Sequence, residues 1–147
     1  MDRAALDIAL ELGIPCGGWC PKGRGAEDGT ISDRYPLEET PLANVAQRTE
    51  WNVRDSDGTL VVMEGPPAGG TALTIKLARR HRKPCLVVDL PRTKTETAES
   101  IAAWISNNKI RVLNVAGPRE SKAPGIYKKA MAFLRGFIEG CVRRSKS

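Results

Sequence analysis

Thr59-Leu60-Val61-Val62-Met63-Glu64-Gly65-Pro66-Pro67-Ala68-Gly69-Gly70-Thr71, running on into Ala72-Leu73-Thr74-Ile75-Lys76-Leu77-Ala78-Arg79-Arg80, decides the fold. Apolar and β-branched residues end in a turn rich in proline and glycine. A helical pattern then opens at Gly70 or Thr71, with Leu73 and Leu77 one turn apart. The order is strand, tight loop, helix. A first helical turn leaves about four backbone N–H groups without partners at the positive end of the helix dipole, and Gly69 and Gly70 carry no side chain to keep an anion away. Two readings stay open: a seat for phosphate, or a loop that needs glycine only for its turn.

The same alternation continues downstream. Lys83 to Leu90 is a continuous apolar run bounded by Pro84 and Pro91, the pattern of a buried parallel strand. Thr95 to about Asn107 is predicted helical, with Ala98, Ile101, Ala102 and Ile105 as a stripe and Trp104 beside it. Ile110 to Gly117 reads as a further strand. In the last helix Ile126, Ala130, Phe133, Leu134, Phe137, Ile138 and Cys141 share one face. Alternating strands and helices predict an α/β three-layer sandwich, a mainly parallel sheet with helices on both faces. Ligands of such sheets sit at the carboxyl ends of the strands, so Trp19-Cys20, Gly65 to Thr71, Asp89 to Arg92 and Ala116 to Arg119 are expected along that edge.

Upstream, Met1 to about Leu12 is an amphipathic helix stopped by Gly13, followed by an extended segment from Ile14 to Trp19. A fold of this type usually has a strand before such a helix, and that strand is expected to be missing. Cys20 to about Gln47 shows little periodicity but keeps interspersed apolar residues, which predicts an ordered excursion over the ligand side. Arg48 to Arg54 is expected as a short helix or turn, and Asp55-Ser56-Asp57-Gly58 as the turn into the central strand.

The chain has 147 residues and a mass of 16.0 kDa, which fits one domain over 1–147 with a single core. No apolar run approaches the roughly 20 residues of a membrane span, and the polar, helix-like start is no secretory signal, so the expected compartment is the cytoplasm. A net charge of +6 invites a nucleic-acid partner. The distribution argues against one: the basic clusters are a helix end, Arg79 to Lys83, and a terminus, Arg143 to Lys146, and the few aromatics do not interleave with them. A small anionic ligand accounts for the excess equally well.

Gly17-Gly18-Trp19-Cys20-Pro21-Lys22-Gly23-Arg24 places flexible backbone and two cations at one strand exit, material for an oxyanion or phosphate contact; a solvated basic loop is the plainer reading. Asp55 to Gly58 lacks the further oxygen ligands of a calcium loop. One histidine and four dispersed cysteines are poor metal donors, and no metal residue is assigned. Cys85 and Cys141 fall on core faces. Cys20, beside Lys22 and Arg24, is expected to have a lowered pKa. His81 lies among cations at a helix end and reads as a surface residue. The order of residues suggests no catalytic set.

Residues 17–24, Ala26-Glu27-Asp28-Gly29, Tyr35-Pro36-Leu37-Glu38-Glu39-Thr40, Arg48-Thr49-Glu50-Trp51-Asn52-Val53-Arg54-Asp55-Ser56-Asp57-Gly58-Thr59 and Gly69-Gly70-Thr71 together resemble the molybdenum-cofactor carrier proteins. These are also described as a circularly permuted branch of the SLOG superfamily of Rossmann-like nucleotide-binding domains. The resemblance spans nearly the whole chain. It implies a Rossmann-like domain, commonly a homo-oligomer (a dimer or tetramer), with a pocket for a phosphorylated or nucleotide-like ligand. In characterised carriers that ligand is the molybdenum cofactor, molybdopterin, which makes molybdoenzymes the expected partners. The ligand contacts the resemblance implies are Gly17, Gly18, Lys22, Arg24, Asp57, Gly69, Gly70 and Thr71.

Two departures from that family matter. Its members usually open with a strand and a Gly-Gly-Gln-Thr-Gly loop before the helix that begins here as Asp2-Arg3-Ala4-Ala5-Leu6, so one phosphate-cradling loop is expected to be absent, by truncation or by loss. Related phosphoribohydrolases carry a glutamate three residues after their Gly-Thr, where this chain has Thr74. Without that general acid/base a hydrolase would lose about 10²–10⁴ in rate. The expected function is therefore a carrier that holds a phosphorylated pterin or nucleotide-like anion without turnover. The alternatives are a phosphoribohydrolase-like N-glycosidase and a nucleotide-sensing domain.

Overall fold

The computed structural model describes residues 2–12, 16–20, 22–26, 29–31, 34–65, 69–90, 98–118 and 123–145. Among the described residues the main sheet is parallel and three-stranded, in the spatial order β6 (Cys85–Asp89), β5 (Gly58–Met63), β7 (Leu113–Ala116). Strand β5 is buried along its whole length because helices cover both of its faces. Leu60 and Val62 turn to one face, where with Val88 they meet Ala4 and Ile8 of α1 (Asp2–Glu11), Ile101 of α4 (Ala98–Asn107), and Ala130 and Leu134 of α5 (Ile126–Ser145). The period of two puts Thr59 and Val61 on the opposite face. There α3 (Gly69–Arg80) packs on the sheet, and its Leu77 and Ala78 meet Val53 of α2 (Val45–Arg54). The expected three-layer α/β sandwich is present. No helix among the described residues is long and apolar enough to cross a membrane.

Two boundaries differ from the sequence expectation by three residues. Helix α2 starts three residues before Arg48 because the Asn44 side chain caps it, accepting the Ala46 N–H at 2.7 Å; the exposed Val45 and Ala46 give no apolar periodicity there. Strand β7 starts at Leu113 rather than Ile110. Ile110 still closes α4, its N–H donating to Ile105 O past the left-handed Lys109, and the next two amides are taken by Asp57.

The segment read as irregular holds short ladders: β1 (Trp19–Cys20) runs parallel to β4 (Glu38–Glu39), and β2 (Gly25–Ala26) antiparallel to β3 (Gly29–Thr30). Asp7 ties this excursion to the core, accepting from Tyr35 Oη and an Arg34 guanidinium nitrogen at 2.6 Å each and from Tyr127 Oη of α5. The expected helix stop at Gly13, the loop residues Pro66 to Ala68, Pro91 and Arg92, the helix start at Thr95, Arg119, and the side chains of Phe137 and Cys141 lie outside the described residues.

Candidate functional site

Among the described residues the strand order has a switch point at β5. From β5 the chain crosses through α3 on one face to β6, then through α4 on the opposite face to β7, on the other side of β5. The connections that follow β5 and β7 therefore leave toward opposite faces, and the gap between them at the carboxyl edge is where open α/β sheets hold ligands.

Glu64, Gly65 and the start of α3 contribute to this edge from β5, and Asp89 from β6. Gly65 and Gly69 have φ of +74° and +53°, the left-handed region where glycine is favoured. Among the described residues, a β-carbon placed on Gly65, Gly69 or Gly70 would meet nothing within 4 Å, so the backbone these residues give to the mouth of the turn is open. Thr71 lies buried behind it. The buried Thr74 hydroxyl donates to Gly70 O at 2.9 Å, so it is turned into its own helix. From the first turn of α5, Lys129 pairs with Glu64 Oε1 at 2.8 Å. The Gly65 N–H points to Asp89 Oδ1 over a long 3.4 Å.

The remaining candidate contacts are spread more widely. Helices α2 and α3 lie side by side, Val53 meeting Leu77 and Glu50 lying 3.4 Å from His81. Exposed Lys22 donates its N–H to Leu42 O, three residues before the start of α2. Gly17 and Gly18 are exposed, with protein on one side of each. A β-carbon on Gly18, whose φ is +141°, would stand 3.1 Å from Asn52 Oδ1, and one on Gly17 3.4 Å from Pro36 O. Arg24 directs its guanidinium to the carbonyls of Ile31, Tyr35 and Leu37, at 3.1–3.2 Å, and so staples the excursion to itself. Asp57 lies at the amino end of β5, across the length of the strand from Gly69. Its carboxylate accepts the N–H groups of Val112 and Arg111 at 2.9 and 3.0 Å, and these bonds hold it below the usual carboxylate range.

Two sequence expectations need correction. Trp19 is not on the carboxyl edge: Asn52 near the end of α2 accepts its N–H and donates to its carbonyl, acting as a strand partner, and Trp19 Nε1 donates to Asp55. That end of α2 leads into the amino end of β5. Cys20 does not have a lowered pKa. It is fully buried, and desolvation raises the thiol's pKa more than the Arg24 charge lowers it. The pairing of Glu64 with Lys129 escaped sequence reasoning because no local pattern links two residues on different elements. His81 is half-buried beside Glu50. Among the described residues no three His, Cys, Asp or Glu side chains gather as donors for a metal ion.

A model of the Circularly permutated YpsA SLOG family matches residues 1–138. Among solved structures, the chain is similar to the crystal structure of a putative molybdenum carrier protein from Syntrophus aciditrophicus SB. The two are 47% identical, the match covers 92% of this chain and 87% of that one, and the TM-score is 0.86. No curated protein matches.

Proposed function

The chain belongs to the circularly permuted YpsA SLOG family, and from that membership we propose that it binds a small phosphorylated ligand in the crevice between β5 and β7 without turning it over. The observation that carries this reading is the open backbone at Gly65, Gly69 and Gly70, at the positive end of α3 and beside a topological switch point. On this reading the amides at Gly69, Gly70 and Thr71 take the phosphate and Lys22 lends charge from the rim. Gly17, Gly18, Arg24 and Asp57 position the excursion and the strand rather than touch the ligand.

The name of the Syntrophus protein supports a molybdenum carrier, with the molybdenum cofactor as cargo held by its phosphate and any metal kept by the cargo itself. A homo-oligomer that delivers this cargo to molybdoenzymes completes the proposal. Thr74, spent on Gly70 O where related hydrolases have a glutamate, favours binding over cleavage.

Thermal unfolding with molybdopterin, nucleoside monophosphates and inorganic phosphate tests the reading. A bound ligand at a hundredfold over its Kd stabilises the chain by about 2.7 kcal/mol and is recovered unchanged. No shift with any of the three removes the site, and release of free base from a nucleotide replaces the carrier with an N-glycosidase.

A further inference from the structure

We infer that the amino edge of the main sheet, opposite the glycine turn, docks an acidic face of a partner protein through the turns at Arg82 and Lys109; the inference goes beyond the ligand reading and does not rest on it. Helices α3 and α4 end in the same device on either side of β5. After α3 the Arg82 N–H donates to Arg79 O at 3.1 Å and the Lys83 N–H to Ala78 O at 2.9 Å; after α4 the Lys109 N–H donates to Ser106 O at 3.1 Å and the Ile110 N–H to Ile105 O at 3.0 Å. The residue at each turn is left-handed, with φ of +55° at Arg82 and +54° at Lys109. Glycine or asparagine is the usual occupant of that position, because most side chains are strained there. Here an exposed cation fills it twice, and neither side chain has a hydrogen-bond or ion-pair partner among the described residues. The helix dipole favours a cation just as well in the unstrained last turn, where Arg79 and Arg80 already stand. The fold itself has no need of a cation at these two places, which points to a use outside the chain.

The parallel sheet sets the two turns side by side. They flank Gly58 at the start of β5, where a β-carbon would lie 3.5 Å from Pro84 O and 2.5 Å from Ile110 Cδ1. Strands β6 and β7 stand one on each side of β5, about 10 Å apart at two strand spacings. Residues 54–57, 79–83 and 109–112, which lead into the three strands, carry seven cations and two carboxylates, against a net charge of +6 for the whole chain. Most of the positive excess therefore lies here and not at the ligand edge. The carboxylates nearby are spent inside the chain: Asp55 accepts from Arg54 and Trp19, Asp57 accepts the amides of Arg111 and Val112, and Glu50 lies 3.4 Å from His81. Val112, 55% exposed, adds an apolar contact within the charged surround, which suits a protein interface and is of no use to a phosphate backbone. Trp19 and Trp51 are not free to stack on bases, since their rings meet edge to face at 4.7 Å and the Arg54 guanidinium lies 4.5 Å over the Trp51 ring. A face rich in Asp and Glu complements this edge, is steered onto it by the field of the cations, and leaves the crevice at the other edge open.

Fluorescence anisotropy with a labelled, glutamate-rich helical peptide carrying one leucine tests this, beside a labelled DNA single strand and sedimentation with phosphatidylglycerol vesicles. Arg82→Asn/Lys109→Asn removes one cation from each turn, and because asparagine tolerates the left-handed backbone its melting temperature should be no lower than that of the wild type. Lys76→Gln/Lys128→Gln removes the same charge from exposed positions outside the turns. The wild type should bind the peptide more tightly than the DNA or the vesicles, with an affinity that falls as salt rises. The edge variant should bind the peptide about three- to thirtyfold more weakly, as the loss of two exposed ion pairs allows, and the control variant within about twofold of the wild type. An equal loss in both variants, tighter binding of DNA or vesicles that depends on Arg82 and Lys109, or no peptide binding at low salt overturns the inference. Thermal shifts with molybdopterin, nucleotides and phosphate should be the same in the edge variant as in the wild type, so failure of this surface leaves the anion seat standing, and failure of the seat leaves this surface standing.

Discussion

Gly58 lies so close beneath Ile110 that a β-carbon on it would stand 2.5 Å from Ile110 Cδ1 and 3.0 Å from Cγ1. The closure of α4 sets Ile110, and the burial of both residues leaves little room to yield. Gly58→Ala should therefore destabilise the chain by about 1–3 kcal/mol, the usual cost of overpacking. In an Ile110→Val background, which removes Cδ1, the same substitution should cost less. Urea denaturation of the four chains reads the coupling, and an equal cost in both backgrounds contradicts the steric account.

The carboxylate shared by Tyr35 and Tyr127 makes stability depend on pH at both extremes. For Asp7, burial works to raise the pKa, but hydrogen bonds from Tyr127, Tyr35 and Arg34 outweigh it and the net shift is down. A depressed folded pKa gives stability that is present above the unfolded value of about 3.8 and is lost as pH falls through the folded one. Tyr127 is pushed up to about 12, chiefly by its hydrogen bond to Asp7. A raised folded pKa gives stability that is full below the unfolded value near 10 and is lost as pH climbs toward 12. Melting temperatures of the wild type and Tyr127→Phe should converge over that alkaline range. Parallel curves from pH 9 to 12 count against the link.

Arg24 separates a structural staple from a ligand contact. Arg24→Lys keeps the charge but loses the planar fork that reaches the carbonyls of Ile31, Tyr35 and Leu37. Limited proteolysis between residues 24 and 37 should accelerate, with ligand affinity within about threefold of wild type once the small cost of exposed-loop loosening is allowed for. Unchanged proteolysis with a lost affinity returns Arg24 to the binding site.

Gly70 offers the opposite case. The space beside it is open, and an acidic residue in a first helical turn is favourable. Gly70→Asp should leave the melting temperature unchanged or higher while lowering affinity for any phosphate ligand by at least about tenfold, because the new charge occupies the anion's place. Wild-type affinity in this variant places the ligand elsewhere.

Cys20 should be inert in the folded chain despite its cationic neighbours in sequence, because it is fully buried and its pKa is raised. Alkylation at pH 8 followed by peptide mass mapping should find Cys20 modified only after denaturation. Rapid native labelling shows that β1 opens readily.

Periodicity and turn chemistry were enough to read the α/β class, the central strand Gly58–Met63 with its glycine turn and helix, and the apolar face of the last helix. These are local signals, because burial on both sides of a strand or one side of a helix leaves its repeat in neighbouring residues. Residues 20–47 gave no such repeat, since part of their order comes from the side chain of a distant element, Asp7 accepting from Arg34 and Tyr35. The candidate site divides the same way. Its glycine turn was legible in the sequence. Tertiary structure alone decided that Asp57 bonds the amides of Arg111 and Val112, that Arg24 reaches the carbonyls of Ile31, Tyr35 and Leu37, that Cys20 is sealed off, and that Glu64, Lys129 and Asp89 share the edge with Gly65. A linear sequence carries the periodic demands of burial, but side-chain partnerships between elements depend on strand order and register, which only the folded sheet fixes.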